Sequence, residues 1–304
     1  MQLIKRNVPV QPIVYAANSP AHRELPFTVY RGLELLVKIT HTNAANPAPT
    51  LFGILYGLIS RMQVTLAGVD QLVNIPAWCL WYMNRAEFAK EGYNSIFTTA
   101  SIQGTSYISL YLPFSLLRAV MPLDTLLDAR KLSSMRLEVN WSGTPAGIAS
   151  IDAAEIQILT CEYAVGEDFK VSPGRHELAY LTKPLEKTGT VQIRLDTGAG
   201  NEYRRLWIFL MAQPAAVLSD LEIDRIKLKT RSFVYVDASI QEFKADNTRR
   251  FGIDAAPGLY VWDFPTDGRM SERCDATNIS DLTLEVNALN TTGIIHCVAE
   301  KVVL

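Results

Sequence analysis

The chain has 304 residues, of which 48% are hydrophobic and 20% charged, and its formal net charge is −2. That length accommodates two domains of ordinary size, each with a core of its own. The near-neutral balance argues against a domain that neutralises nucleic acid directly, because such domains are strongly basic.

Met1 to Val14 lacks the continuous apolar stretch and small-residue cleavage site of a secretory signal. Its only basic feature is Lys5-Arg6, and with Pro9 and Pro12 residues 1–22 read as an extended N-terminal arm. A strand is expected over 27–40. The apolar run Leu51 to Ile59 is too short to span a bilayer as a helix. In Ile59-Ser60-Arg61-Met62-Gln63-Val64 the apolar phase slips by one residue at Arg61, as it does at a β-bulge. Asn84 with Glu87 three positions later is a capping-box pattern, predicting a helix over 84–91 that stops at Gly92. Strands are predicted over 93–99 and 107–113, then a short helix over 123–131. Met135, Leu137, Val139 and Trp141 alternate as on a half-buried strand, and another follows over 153–165.

The segment 167–188 reads as a linker helix: Ser172-Pro173 can start it, Leu178, Leu181 and Leu185 share a helical face, and Gly189 follows. Strands over 190–196 and 204–212 flank Asp196-Thr197-Gly198-Ala199-Gly200, read as a hairpin turn. A second phase slip occurs in Ile223-Asp224-Arg225-Ile226, followed by a strand over 232–238. Ser239 with Glu242 repeats the capping box and starts a helix over 240–250, with Gly252 as its stop. Strands over 260–265, 282–286 and 293–303 complete the chain.

Residues 128–140 and 275–287 are identical at seven of thirteen positions without a gap, both ending in Leu-Glu-Val-Asn. The bulges, the capping boxes, the strands beginning at Tyr107 and Tyr260, and the cysteines Cys161 and Cys297 recur in the same order. The spacing falls from 164 at Ile59/Ile223 to 136 at Cys161/Cys297, so the second copy has shorter connections. A collinear repeat of this period implies a duplicated domain. The fold class is all-β: two tandem eight-stranded antiparallel jelly rolls with short helical insertions, jelly roll 1 over 23–166 and jelly roll 2 over 189–304.

Motifs that could carry chemistry are sparse. Asp196-Thr197-Gly198 looks like the aspartic-protease signature, but that chemistry needs two carboxylates sharing a proton and no second Asp-Thr/Ser-Gly occurs. The four histidines, His22, His41, His176 and His296, are scattered and form no His-x-His for a cupin metal. Catalytic, cofactor-binding and metal-ligating residues are therefore expected to be none. Glu138 and Glu285, shared by the repeat, read as solvated or interface-lining, and Arg61 and Arg225 as bulge-holding. Arg225, Lys227, Lys229 and Arg231 are expected to pair with Asp220, Glu222 and Asp224, the other reading being a patch for anionic lipid or genome. Cys79, Cys161, Cys274 and Cys297 have no Cys-x-x-Cys spacing and read as buried thiols, which leaves the sequons at Asn140, Asn278 and Asn290 unused.

Two fused jelly rolls with short helical insertions, low charge and no catalytic constellation resemble the double jelly-roll major capsid proteins of the adenovirus–tectivirus lineage, as a compact member like those of small membrane-containing bacteriophages. The resemblance implies a structural, non-enzymatic subunit forming pseudo-hexagonal homotrimeric capsomers in the capsid shell of a virion assembled in the host cytoplasm. It also implies neighbouring capsomers, penton or minor capsid proteins and an internal lipid membrane as partners, with no sequence-specific nucleic-acid binding. Other readings of such a chain are a carbohydrate-active or amidase-type hydrolase and a β-rich receptor-binding module.

Overall fold

In a computed structural model, the described residues are 4–89, 92–115, 126–166, 170, 175–197, 202–251, 256–264, 274–276, 279 and 281–303. They fall into two compact units, one reaching to His176 and the other beginning at Glu177. No helix among them is long and apolar enough to cross a membrane.

The first unit contains β1 (Ile4–Val14), β2 (Pro20–Glu24), β3 (Val29–Asn43), α1 (Leu51–Leu58), β4 (Ile59–Leu66), β5 (Asp70–Ile75), α2 (Ala77–Phe88), β6 (Asn94–Ser95), β7 (Gln103–Pro113), β8 (Leu127–Asp128), β9 (Met135–Trp141) and β10 (Ile148–Ala164). One sheet runs β1-β10-β3-β7-β6, with β8 pairing β3, and the other contains β5-β4-β9-β2. Alternation along the strands builds the core between them. Leu33, Leu35, Val37 and Ile39 of β3 are buried, as are Met62 and Val64 of β4 and Leu137 and Val139 of β9. Burying each such side chain contributes about 1.5–3 kcal/mol.

The second unit contains most of β11 (Arg175–Pro184), then β12 (Gly189–Leu195), β13 (Glu202–Ala212), β14 (Val217–Leu218), β15 (Ile223–Lys229), β16 (Val234–Ser239), α3 (Ile240–Phe251), β17 (Leu259–Asp263), β18 (Cys274–Asp275), β19 (Leu282–Ala288) and β20 (Gly293–Val303). Its sheets are β12-β19-β15-β16 and a second in which β13 lies beside β20, β20 beside β11, and β17 pairs with β13. Leu206, Ile208 and Leu210 of β13 pack with Ile226, Leu228, Leu284, Val286, Ile295 and Cys297 in its core. The orders β1-β10-β3-β7 and β11-β20-β13-β17 match, as do β2-β9-β4-β5 and β12-β19-β15-β16. Each unit thus contains the eight matched strands of a jelly roll, four in each of two sheets, with short extra strands such as β6, β8, β14 and β18 added at the side.

Four expectations change. Residues 4–14 are not an extended arm: β1 pairs antiparallel with β10, from Ile4↔Ala164 to Val14↔Glu155. Its prolines are tolerated because β1 ends its sheet, where no ladder partner needs their missing N–H groups. The linker helix over 167–188 is overturned at 175–184, which form β11, with His176 and Leu178 buried; residues 167–169 and 171–174 lie outside the described residues. Both errors concern the first strand of a jelly roll.

The hairpin between 190–196 and 204–212 is also absent, since β12 pairs with β19 whereas β13 pairs with β14, β17, β18 and β20. The chain crosses from one sheet to the other there, and Gly198 to Gly200 lie outside the described residues. Of the helix over 123–131, residues 123–125 lie outside the described residues, while Leu127–Asp128 are strand.

Helices differ in detail. Leu51–Leu58 is helical, capped by Thr50, whose Oγ1 accepts from the Gly53 amide at 3.0 Å. The helix expected over 84–91 begins earlier, at Ala77, and ends at Ala89 in the left-handed region (φ 51°) rather than at Gly92. The strand over 93–99 is reduced to Asn94–Ser95. In contrast, Ser239 caps α3 as expected: its amide donates to Glu242 Oε2 at 2.7 Å and Ser239 Oγ accepts from the Glu242 amide at 3.3 Å.

Candidate functional site

The two bulges stand at matched places. The β4·β9 register shifts between Ile59 and Arg61, and the β15·β19 register shifts between Ile223 and Arg225. Beyond each shift the arginine reaches the next strand. Arg61 Nε donates to Asn74 Oδ1, and Arg225 Nε donates to Asp237 Oδ1 at 2.5 Å. Asn74 pairs with Gln63 as Asp237 pairs with Lys227, so these contacts are counterparts. The Arg225 hydrogen bond holds the Asp237 carboxyl below the ordinary carboxylate range.

Glu138 and Glu285 also occupy one register position, opposite Gln63 and Lys227. Their environments differ. Glu138 is half-buried with Arg136 3.6 Å away, whereas Glu285 is buried, 2.8 Å from Lys229 Nζ. The solvated reading holds for Glu138 alone. The basic stretch is paired across strands: Lys227 lies 3.6 Å from Asp237, while Asp220 pairs with Lys244. The expected partners close in sequence are replaced by residues of neighbouring strands, Asp237 on β16 and Glu285 on β19.

A second duplicated device was not read from the sequence. Asn84 Nδ2 donates to the Tyr111 carbonyl at 2.8 Å, and its Oδ1 accepts from the Tyr111 amide at 2.7 Å. Asn247 makes the same pair of bonds with Val261, both at 2.8 Å. Aligning α2 and α3 end to end superposes Asn84 on Asn247 and Phe88 on Phe251. The counterpart of Asn84 is therefore Asn247 and not the cap Ser239. The shared Asn-x-x-x-Phe was the available signal. Each amide clamps its helix to a strand, β7 or β17.

A groove of ≈ 710 Å³ lies on the outer face of the β1-β10-β3-β7 sheet beside α2. Pro9, Leu36, Phe88, Tyr93, Tyr111 and Leu159 give it an apolar lining, with Glu34 and Arg85 among its polar residues. Tyr111 of this lining packs closely on Gly32, where a Cβ would lie 2.6 Å from both the Leu112 carbonyl oxygen and the Tyr111 hydroxyl. On the corresponding outer face of the second unit, Arg205 is buried, 2.7 Å from Asp263 and 3.7 Å from Glu300, with Trp207 Nε1 donating to Glu300 at 3.3 Å.

The arrangement closest to a catalytic pair is His41 Nε2 with Ser106 Oγ at 2.8 Å. Both residues are fully buried, and Ser106 Oγ also accepts from the Phe97 amide at 2.9 Å, so the pair fastens a loop to the core. Burial lowers the His41 pKa despite its hydrogen bond with Asn43 and the Asp152 charge. Asp196 serves structure: its carbonyl accepts from Tyr203 Oη at 2.7 Å and its carboxylate lies 3.6 Å from Lys301. His296 is buried, with Tyr180 Oη 2.5 Å from its Nδ1, and burial lowers its pKa to about 4. His22 pairs with Glu138 on an exposed strand, far in sequence register from the other histidines. Among the described residues, no three His, Cys, Asp or Glu side chains gather as metal ligands. The four cysteines are buried thiols, and desolvation pushes Cys161 and Cys297 up to about 12.

What recurs in both units is thus strand order, bulge and clamp, all of them scaffold. Residues 176–303 match the family model of the viral coat protein P2 C-terminal domain. No match was found among curated proteins. Among solved structures, the major capsid protein of Sulfolobus Turreted Icosahedral Virus is similar with a TM-score of 0.80 at 13% identity, covering 99% of this chain and 97% of that one. The major capsid protein P2 from bacteriophage PM2 gives 0.69 at 14% identity over 99% and 98%. The Faustovirus major capsid protein gives 0.62 at 7% identity over 99% and 90%. From end to end, the chain has the double jelly-roll fold of viral major capsid proteins.

Proposed function

We propose that this chain is a viral major capsid protein, a structural subunit and not an enzyme. The observation that carries the reading is the duplicated jelly roll, matched in its entirety by solved major capsid proteins and in its second half by a coat-protein domain model. Three copies of a two-barrel chain supply six similar barrels around a three-fold axis, a pseudo-hexagonal tile, and homo-oligomers favour such closed symmetry. The tile is a homotrimeric capsomer of an icosahedral shell, assembled in the host cytoplasm, meeting neighbouring capsomers, penton or minor proteins and an underlying membrane. The hydrolase alternative gains nothing from the comparisons, and its best-placed residues, His41 and Ser106, are sealed in the core.

Size-exclusion chromatography with light scattering and negative-stain imaging test this reading. A mass of three chains with a hexagonal outline is expected. A monomer that cleaves a glycan or an amide would sink it.

A further inference from the structure

The duplication leaves one strand edge of each kind unmatched. In the first unit β5 does not end its sheet: the start of β11 lies beside it. Arg175 and His176, which belong to that unit, bring a guanidinium 3.3 Å from Asp70 Oδ2 and a buried imidazole. Leu72, Val73 and Ile75 of β5 are accordingly 0–2% exposed. In the second unit the counterpart of β5 is β16, and it ends its sheet among the described residues. No residue of β16 is buried, and at its start Val234 is 45% exposed and the adjacent Phe233 59%. The counterpart of β11 is β1, which ends the other sheet of the first unit. Among the described residues one chain therefore carries one open edge of each type, and an open edge with apolar side chains is a template for another strand.

Resting on the capsomer reading, we propose that β16 of one copy receives the first half of β1 of a second copy, repeating between chains the pairing that β5 makes with the start of β11. Pro9 and Pro12 confine the added ladder to Ile4–Val8, since they lack the N–H that pairing requires. The contact joins two different surfaces, so it is heterologous and closes when the rotation between copies completes a ring. Phe233 and Val234 are covered on assembly.

The experiment uses the full chain carrying Asn7→Cys or Val234→Cys, both at exposed positions, with the buried native thiols as background. The two variants are mixed, allowed to exchange subunits, and treated with a bismaleimide long enough to bridge neighbouring strands. Covalent dimers are expected from the mixture, with at least a tenfold lower yield from either variant alone. The double variant is expected to give a covalent ladder ending at the trimer. Trimers by light scattering that give no mixed cross-link overturn the strand pairing and leave the capsid reading intact. Efficient cross-linking of either single variant alone overturns it too, since that contact would be isologous. A protein that remains monomeric at every concentration overturns the capsomer itself.

Discussion

Asn247 donates from Nδ2 to the Val261 carbonyl and accepts from the Val261 amide, each at 2.8 Å, and is itself 1% exposed. One side chain thereby satisfies both backbone groups of a strand residue that would otherwise be buried without partners. Asn84 does the same for Tyr111.

Asparagine and serine are near-equivalent as helix caps. A capping role for Asn84 therefore predicts that Asn84→Ser is neutral, whereas the clamp predicts a loss of about 2–3 kcal/mol for both Asn84→Ser and Asn247→Ser, because backbone donors and acceptors lose their partners. Urea unfolding monitored by tryptophan fluorescence measures the difference. A neutral Asn84→Ser would remove the clamp from the account.

Arg205 is 1% exposed and faces Asp263 and Glu300. Arg205→Ala removes the cation that Asp263 and Glu300 share, while Arg204 stays 3.9 Å from Glu300, and breaking a buried pair in this way costs about 3–5 kcal/mol. The loss is expected as a large drop in the urea midpoint of the second unit. A change no greater than that of an exposed arginine variant such as Arg23→Ala would show the network to be loose.

His296 is neutral when folded because burial lowers its pKa from 6.5 to about 4. Its unfolded form binds a proton first as the pH falls. Stability is therefore unaffected by this group above the unfolded pKa, declines as the pH falls below 6.5, and levels off below about 4. The full loss is about 3 kcal/mol. Replacing it, as in His296→Gln, is expected to flatten the pH dependence of the unfolding midpoint between pH 7 and pH 4, which a series of melts at fixed ionic strength would read. An unchanged slope would place the acid sensitivity elsewhere, with His41 next in line.

Gly32→Ala forces a Cβ against the Leu112 carbonyl and the Tyr111 hydroxyl. Overpacking of this kind costs about 1–3 kcal/mol. Adding Tyr111→Phe removes only the hydroxyl contact and leaves the ring Cζ 2.8 Å and the Leu112 carbonyl oxygen 2.6 Å from the new Cβ, so the double variant is expected to recover part of the loss and not all of it. Full recovery would mean that the backbone contact yields easily.

Much of the scaffold was legible because a half-buried strand alternates. The phase slips at Arg61 and Arg225 located both bulges to the residue, and Ser239 with Glu242 located one helix start. The first strand of each jelly roll was not legible. β1 carries two prolines, and Leu178 and Leu181 of β11 with Leu185 just beyond it are spaced as on a helix, so in both cases tertiary pairing overrode the local pattern. The clamp was hidden for a different reason: a side chain that bonds to backbone leaves no mark on its partner's identity, and Tyr111 and Val261 share none. That His41 and Ser106 meet was not legible either, because they lie on different strands, 65 residues apart in sequence.

The fastener between helix and sheet is in both units a neutral amide. Carboxylate and guanidinium partners such as Asp237 and Arg225 weaken with salt and are lost when the carboxylate is protonated, but an asparagine amide neither titrates nor gathers counterions. The Asn84 and Asn247 clamps are thus indifferent to acid and ionic strength, whereas the Lys244–Asp220 pair, through which α3 also reaches Tyr260 of β17, is not, so acid and salt loosen the charged contacts first and leave the amide clamps in place.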